Sequence, residues 1–307
     1  MKYSFLLPAY KGAFLKEALE AIQAQTFEDF EVIVSDDCSP EPVHDIVYPF
    51  LSDGRFTYRR NEARIGAEAL TSHWNLLLGI CKAPYVIVAG DDDVYDTHFL
   101  EEIDKRVLQY PEVNLFRARL DKIDKDGIVT EREEPFEAYQ DSSQFVFDLF
   151  NGRHLYAIGQ YVFNTDYLKK AGGFFCLPLA WFSDDATAII TSNRGVVHSS
   201  SVLFHARNSG LNISNQPDSI AFMRLKAVSI ESFFKWFKSY IKTITRTRPE
   251  RRLLCKQCRH YCYGRLLNIF YGLPARNRVS VICAFPFFTW TLIKNRINML
   301  IKLCANR

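Results

Sequence analysis

The sequence predicts an α/β fold in which a mostly parallel sheet is flanked by helices, followed by a basic helical region. One observation predicts the sheet, because apolar runs alternate with segments of helical spacing in the N-terminal third, and a second predicts the tail, which is basic and rich in aromatic residues. This alternation is typical of parallel sheets that are covered on both faces. A chain of 307 residues with 48% hydrophobic and 24% charged residues can bury a large core, which excludes wholesale disorder.

The elements are predicted in order along the chain. Strands are expected at 3–7, 30–35, 56–59 and 85–89, with helices over 15–25 and 67–80. An alternating segment, 113–120, leads through a turn at 124–127 into 128–130, which indicates a hairpin. The remaining elements are a helix at 145–150, a strand at 160–163, a helix at 185–191 and a strand at 196–205.

Charge divides the chain into two parts. Residues 221–307 carry 18 Lys and Arg against two acids, a net charge of +16, whereas residues 1–220 have a net charge of −13. We therefore predict two domains, 1–218 and 219–307, of which the second seeks an anionic surface. The tail has no recognisable RNA-binding motif, so we expect a phospholipid membrane and not nucleic acid as that surface.

Two segments of the tail suit a membrane interface. The aromatic residues of 233–237 lie among lysines, and 279–293 is a 15-residue stretch without a charge. As a helix this stretch would reach about 22 Å at 1.5 Å per residue, short of a hydrocarbon core of roughly 30 Å, and Pro286 interrupts it. We expect it to lie in the interface on the inner face of the cytoplasmic membrane. The alternative is a helical subdomain whose aromatic residues pack on the sheet.

The cysteines indicate a cytoplasmic chain with reduced thiols. The eight cysteines are scattered, unlike the dense disulfide framework of a small secreted domain, and the first apolar run is too short for a signal peptide. Cys255, Cys258, His260 and Cys262 have metal-like spacing. Four ligands crowded into eight positions of a predicted helix disfavour a zinc site.

Acidic residues mark the predicted active site, because ligands of parallel sheets bind at the carboxyl ends of the strands. Asp36 and Asp37 end the second strand, and Asp91, Asp92 and Asp93 follow the fourth. Three adjacent carboxylates repel one another unless a cation joins them, and Mg²⁺ or Mn²⁺ takes oxygen ligands. Such a metal would stabilise a diphosphate as a leaving group. The alternative is a solvated acidic turn or a helix N-cap.

A third acidic pair, Asp184 and Asp185, precedes an apolar run. One of these carboxylates could be a general base, or the pair could cap the following helix. The pair Asp36 and Asp37 could accept a hydrogen bond from a nucleotide base or a ribose, with an N-cap again as the alternative. Taken singly, each pair fits the structural alternative.

Together, these segments resemble the N-terminal signature of the family 2 glycosyltransferases, which have the GT-A fold. The resemblance covers roughly residues 1–215 and rests on Pro8-Ala9-Tyr10, Gln25-Thr26-Phe27, 31–39, Asn61, Gly66, Asn75, Gly90-Asp91-Asp92-Asp93, Gly172-Gly173-Phe174 and Asp184-Asp185. Three residues depart from the family pattern: Lys11 replaces Asn, Cys38 replaces Gly, and Gly90 replaces the first Asp of the metal loop.

The resemblance implies an inverting enzyme that moves a sugar from a nucleotide-diphosphate donor, preferably a UDP-sugar, to a hydroxyl of a glycan or lipid-linked acceptor. Cell-surface polysaccharide or lipopolysaccharide synthesis is the implied setting. Asp93 and Asp91 would hold a divalent metal, and Asp185, or Asp184, would be the catalytic base. The implied donor-binding residues are Pro8, Ala9, Tyr10, Asp36, Asp37, Asn61, Gly66, Asp91 and Asp92.

Two further residues have open roles. Arg207 either reaches the phosphates or forms a surface salt bridge, and His73 is expected to pack against the sheet. Two competing functions also remain. A nucleotidyltransferase would share the sheet and the metal, but it would normally show a Gly-rich basic loop after the first strand, where this chain has Pro8-Ala9-Tyr10-Lys11-Gly12. A non-enzymatic module that binds a sugar nucleotide or nucleic acid is the other.

Overall fold

The computed structural model describes residues 1–210 and 220–272 and confirms the α/β fold. The N-terminal part alternates strands and helices: β1 (Tyr3–Ala9), α1 (Leu15–Gln23), β2 (Phe30–Asp36), α2 (Val43–Val47), β3 (Phe56–Arg60), α3 (Leu70–Ile80) and β4 (Tyr85–Val88). The middle part contains β5 (Val94–Tyr95), α4 (Phe99–Gln109), β6 (Leu115–Asp124), β7 (Val129–Arg132), β8 (Tyr139–Gln140) and α5 (Ser142–Phe150). The last elements are β9 (Tyr161–Asn164), α6 (Thr165–Lys170), α7 (Ser183–Thr191), β10 (Val196–Asn208), α8 (Ile220–Ile244) and α9 (Arg248–Gly272).

The strands form one sheet in the order β3-β2-β1-β4-β9-β6-β10-β5, with β7 paired to β6 and β8 to β10. Strands β1 to β4 are parallel. Strand β9 is antiparallel to both β4 and β6, and β10 is parallel to β6, so β6 and β10 run in the same direction as β1. The carboxyl ends of these strands therefore lie along one edge of the sheet.

The core lies on both faces of the sheet, because successive side chains of a strand point to opposite sides. In β1, Phe5 and Leu7 contact the apolar face of α1 and α4, whereas Leu6 belongs to a second cluster with residues of α3, α5 and α7. This two-sided burial explains why β1 and β4 are continuous apolar runs rather than alternating ones.

Helices α8 and α9 complete the second cluster. Their apolar residues recur at helical spacing and are buried against the sheet and the helices α3, α5 and α7, among them Met223, Ala227, Ile230, Phe233, Phe234, Phe237, Ile241, Leu254, Cys258, Cys262 and Leu266. The aromatic residues of 233–237 are therefore core residues, which corrects the expectation that they face a membrane and agrees with the packed-subdomain alternative. The boundary at 218 and the stretch 279–293 lie outside the described residues.

A membrane-crossing helix needs about 20 predominantly apolar residues. None of the helices within 1–210 and 220–272 combines sufficient length with sufficient apolarity to cross a bilayer.

Candidate active site

Two adjoining cavities open at the carboxyl edge of the sheet. The β1 cavity, about 450 Å³, lies over the ends of β1 and β4 and is lined by residues that include 8–11, Asp37 and Gly66. The α7 cavity, about 490 Å³, lies between the start of α7, the end of β10 and helix α9. Three residues line both cavities: Trp74, Asp92 and Ile158.

Asp91 fastens the loop after β1 to the loop after β4. Its Oδ2 accepts hydrogen bonds from the backbone N–H groups of Tyr10 (3.1 Å) and Lys11 (2.8 Å). The Lys11 ammonium lies 3.1 Å from Asp91 Oδ1 and 3.1 Å from Asp92 Oδ2. Lys11 therefore offsets the charge of two carboxylates, which gives the departure from Asn at this position a physical role.

Asp93 is anchored by Arg207. Asp93 Oδ1 accepts from the Arg207 backbone N–H (3.0 Å), while Arg207 Nε donates to the Asp92 carbonyl (2.9 Å) and its Nη2 pairs with Glu17 (2.6 Å). Burial and, as the second cause, the negative charge of Asp92 raise the pKa of Asp93 to about 8. Asp93 folds back over Gly90, where a Cβ would lie 2.6 Å from Asp93 Oδ2, so an Asp at position 90 would require the Asp93 side chain to shift.

The carboxylates of this loop suit a hard divalent cation. Within the described part of the chain, no group of three or more His, Cys, Asp or Glu side chains is arranged to hold a metal ion. Mg²⁺ usually takes only one or two protein carboxylates and completes its shell with substrate phosphates and water. Asp92, which faces both cavities, and Asp93, which faces the α7 cavity, fit that pattern. Asp91 is already engaged in positioning the β1 loop.

Asp37 holds a loop over the β1 cavity. Its Oδ1 accepts from Asn61 Nδ2 (3.0 Å) and Ile65 N (2.7 Å), and its Oδ2 accepts from Gly66 N (2.8 Å). Asn61 is thus placed behind Asp37 and does not line either cavity, whereas Gly66 does. At the following position, Cys38 has φ +56°, in the left-handed region that favours glycine.

Asp36, a predicted donor-binding residue, lines neither of the two cavities. Its side chain is fully buried, and its oxygens accept from Ser39 N (2.7 Å), the Tyr58 hydroxyl (2.8 Å) and the Arg60 guanidinium. The two neighbouring aspartates therefore differ in position. Asp36 is buried and stabilises the end of β2 through hydrogen bonds to the protein, whereas Asp37 lines the β1 cavity.

The acidic pair of α7 lies in the α7 cavity. Asp184 Oδ1 accepts from Asp185 N (2.9 Å). Asp185 is 3% exposed, and its Oδ2 accepts from the Tyr261 hydroxyl (2.9 Å), while its Oδ1 has no hydrogen-bond partner among the described residues. Burial raises the pKa of Asp184 to about 6. Burial and the charge of Asp184 raise the pKa of Asp185 well above its ordinary value. A carboxylate of raised pKa suits general base catalysis near neutral pH.

Residues 4–184, more than half of the chain, match the family model described as Glycosyl transferase family 2. The chain belongs to glycosyl transferase family 2. This membership confirms the prediction of a glycosyltransferase from the sequence.

Solved structures support the GT-A fold of this family 2 glycosyltransferase. TarS 1–349 of S. aureus in complex with UDP has a TM-score of 0.64 at 16% identity, covering 92% of this chain and 78% of that chain. The same protein with UDP-GlcNAc has a TM-score of 0.60 at 16% identity, covering 90% and 83%. The mannosyltransferase PcManGT of Pyrobaculum calidifontis, in complex with GDP-Man and Mn²⁺, has a TM-score of 0.54 at 12% identity, and the match covers 99% of this chain and 85% of that chain.

A curated relative is similar in sequence over a shorter region. The glycosyltransferase GlyG of Streptococcus pneumoniae serotype 4 (strain ATCC BAA-334 / TIGR4) is 27% identical over 106 residues, which is 34% of this chain. The match spans about a third of that relative's own length, 34%.

The family 2 glycosyltransferase brings most of the predicted site residues to the two cavities. The β1 cavity is lined by Pro8, Ala9, Tyr10, Asp37, Gly66, Asp91 and Asp92, and the α7 cavity by Asp92, Asp93, Asp184, Asp185 and Arg207. His73 Nε2 lies 2.8 Å from the Ser35 hydroxyl of β2, so it packs against the sheet as expected, and His73 also lines the β1 cavity. Their roles in binding and catalysis stay predictions.

Sequence reasoning missed the contribution of α9. Tyr261 contacts Asp185, and Arg265 lines the α7 cavity beside Trp181. Tyr261 lies 76 positions beyond its partner, and no local pattern indicates the contact. The sequence marks Lys11 only as a departure from the family pattern and does not indicate its ion pairs with Asp91 and Asp92.

Proposed function

We propose that this glycosyltransferase moves a sugar, with inversion, from a nucleotide-diphosphate donor to a hydroxyl of a glycan or lipid-linked acceptor. One observation carries the proposal: two cavities meet at Asp92, and the second contains a buried carboxylate, Asp185, with one oxygen left without a donor. A donor in one cavity and an acceptor in the other would bring their reacting atoms together at the shared wall.

The β1 cavity is the proposed donor site. Its volume suits a nucleotide, and Lys11 supplies positive charge beside the place where a diphosphate would meet Asp91 and Asp92. The loop held by Asp37 would enclose the base and the ribose. A UDP-sugar is the proposed donor, and the TarS structures with UDP and UDP-GlcNAc support it. Because PcManGT is in complex with GDP-Man, donors with other bases must be tested as well.

Asp92 and Asp93 are the proposed ligands of a Mg²⁺ or Mn²⁺ ion. When bound, such an ion would act as a Lewis acid that stabilises the negative charge of the departing nucleoside diphosphate. Asp91 instead holds the loop after β1 through two backbone N–H groups. Arg207 donates hydrogen bonds to the Asp93 carboxylate and to the Asp92 carbonyl. Its proposed role is therefore to position the acidic loop and not to bind phosphate.

Asp185 is the proposed base in the α7 cavity. Its free oxygen would accept the proton of the acceptor hydroxyl, while the Tyr261 hydroxyl orients the carboxylate. One base and a direct displacement account for inversion without a covalent intermediate. The aromatic rings of Tyr156 and Trp181 on the same wall would contact the apolar faces of an acceptor sugar.

The setting of the reaction is also a proposal. We keep the division into 1–218 and 219–307, with the qualification that Tyr261 makes the second part necessary for the site of the first. A lipid-linked or cell-surface glycan acceptor would place the enzyme at the inner face of the cytoplasmic membrane.

A donor panel tests the proposed function. The full chain is incubated with UDP-, GDP- and dTDP-sugars and an acceptor mixture, with Mg²⁺ or Mn²⁺ and with EDTA, and the released products are measured. Nucleoside diphosphate from one donor, abolished by EDTA, is the expected result. Release of pyrophosphate would instead identify a nucleotidyltransferase, full activity in EDTA would refute the metal, and tight binding without turnover would favour a binding module.

A further inference from the structure

Arg265 stands out among the cations of the α7 cavity. Its guanidinium carbon lies 4.3 Å from the ring centroid of Tyr156, 5.5 Å from that of Tyr261 and 5.9 Å from that of Trp181. Its Nε is buried without a hydrogen-bond partner, and no ion pair joins it to a carboxylate in the described part of the chain. Aromatic faces attract the cation, but they do not satisfy its N–H donors.

The other cations of this cavity have carboxylate partners. Lys122 pairs with Glu131 at 2.7 Å, and Arg207 pairs with Glu17 at 2.6 Å. Burial lowers the pKa of Arg265 to about 10 with no carboxylate to offset it. A half-buried charge without a carboxylate partner is costly to a fold, and an anionic ligand in the cavity would offset that cost.

The acidic pair of α7 is not the partner of Arg265. Burial, the interaction between the two carboxyls and the Tyr261 hydroxyl account for the pKa values of Asp184 and Asp185. The donor phosphates are not its natural partner either. Arg265 lines only the α7 cavity, whereas the β1 cavity has its own cation, Lys11, at the acidic loop.

We propose that Arg265 is the anion-binding residue of the acceptor site, and that the acceptor carries a phosphate or a carboxylate near the hydroxyl that receives the sugar. This inference rests on the proposed function, in which the α7 cavity holds the acceptor. The planar guanidinium can give two parallel N–H bonds to either oxyanion. It would also counter the repulsion that an anionic acceptor meets from Asp92, Asp93 and the α7 pair. Arg265 thus selects anionic over neutral acceptors.

Binding of matched sugars to the full chain tests the inference without any turnover. Glucose, glucuronate and glucose 6-phosphate are titrated by ligand-observed NMR, with UDP and Mg²⁺ present to fill the β1 cavity. We expect at least one anionic sugar to bind at least tenfold more tightly than glucose, which corresponds to about 1.4 kcal/mol. Glucose 6-phosphate alone would identify a phosphate acceptor, and glucuronate alone a carboxylate acceptor.

Two variants assign the preference to the residue. Arg265→Gln should bind the three sugars equally, and Arg265→Lys should keep part of the preference. Arg259→Gln is the matched control, because it removes the same charge from an exposed position of the same helix. Equal affinities in the parent chain, or a preference that persists in Arg265→Gln, would overturn the inference. Thermal melts verify that each variant is folded.

The outcome is distinct from that of the donor panel. If no nucleotide sugar is turned over but the anionic preference depends on Arg265, the proposed transfer fails and the anion site stands. If transfer occurs to neutral acceptors at a rate that Arg265→Gln does not change, the proposed function stands and this inference fails.

Discussion

Two buried aspartates of this chain, Asp36 and Asp185, differ in how their oxygens are used. Both oxygens of Asp36 accept hydrogen bonds from the protein, whereas Asp185 accepts from the Tyr261 hydroxyl at Oδ2, and its buried Oδ1 has no partner among the described residues. A buried acceptor without a donor costs stability and is uncommon in native proteins. The number of hydrogen-bond partners therefore distinguishes the structural carboxylate of Asp36 from that of Asp185, which can take up a proton.

Asp185→Asn should abolish most of the transfer. The amide keeps the shape of the side chain but cannot accept the proton of the acceptor, and a general base contributes about 10²–10⁴-fold. Binding of the nucleotide, measured by calorimetry, should be unchanged because Asp185 does not line the β1 cavity. Asp184→Asn is the control within the pair. If Asp184→Asn loses transfer while Asp185→Asn keeps the parent rate, the base is Asp184.

The turnover rate should fall on the acid side of neutral pH. The base must be deprotonated, and burial raises the pKa of Asp184 to about 6 and that of Asp185 well above its ordinary value. Below the apparent pKa of the pair, kcat should fall about tenfold per pH unit, at a higher pH than the ordinary Asp pKa of about 3.9 implies. A kcat that stays constant from pH 8 to pH 4 would contradict this prediction.

At the scale of elements, α9 tunes the acidic pair of α7. The Tyr261 hydroxyl donates to Asp185 and so favours its charged form. Tyr261→Phe should raise the pKa of Asp185 and shift the acid limb of the kcat profile to higher pH, with a larger loss at pH 6 than at pH 8. Tyr167→Phe is the matched control, because its hydroxyl donates to the Ile190 carbonyl of the same helix α7, away from the pair. Equal shifts in both variants would exclude a specific role for Tyr261.

Helix α8 is held by its aromatic residues. Phe233 is fully buried and contacts the rings of Phe150 and Phe182. Phe233→Ala should lower the free energy of unfolding by about 3–5 kcal/mol, as for other buried Phe-to-Ala changes. Urea denaturation measures this loss. Val228→Ala, at a largely exposed position of the same helix, should change it by less than about 0.5 kcal/mol. A small loss for Phe233→Ala would reopen the membrane-facing interpretation of this segment.

The elements that the sequence predicts are those whose pattern is local. The apolar runs of β1, β2 and β4 and the turn of the β6–β7 hairpin can be recognised directly, as can the acidic loops at strand ends. Strands β5 and β8, two residues each, exist because they pair with β10 and have no pattern of their own. The contact of Tyr261 with Asp185 depends on how α9 packs, which the sequence does not reveal.

At the scale of the whole molecule, the basic charge of the tail is separated from its aromatic residues. Phe233, Phe234 and Phe237 of α8 are buried, and Trp236 and Tyr240 are partly buried against the same core. Helix α9 exposes four basic residues: Arg252, Lys256, Arg259 and His260. Removing everything beyond residue 218 would expose the core that α8 and α9 cover. Charge variants of the full chain are therefore a sharper test of membrane binding than truncation.

The full chain should float with vesicles of anionic lipid at low salt and not with neutral vesicles. Basic residues near such a surface contribute about 1 kcal/mol each, and salt screens the attraction. Reversal of charge at Arg252, Lys256 and Arg259 should lower the floating fraction strongly. Replacement of Phe285, Phe287 and Phe288 by Glu should also lower it if the stretch 279–293 binds the membrane. No flotation of the parent chain at low salt would refute the membrane setting.

The shared wall of the two cavities makes their ligands thermodynamically linked. Trp74, Asp92 and Ile158 face both spaces, so a ligand that shifts any of them alters the free energy with which the neighbouring space is filled. Linkage is reciprocal: the factor by which a bound nucleotide changes the affinity for acceptor equals the factor by which acceptor changes the affinity for nucleotide. A single carboxylate and two apolar side chains thereby offer a route by which the occupancy of one cavity alters the affinity of the other, by the same factor in both directions.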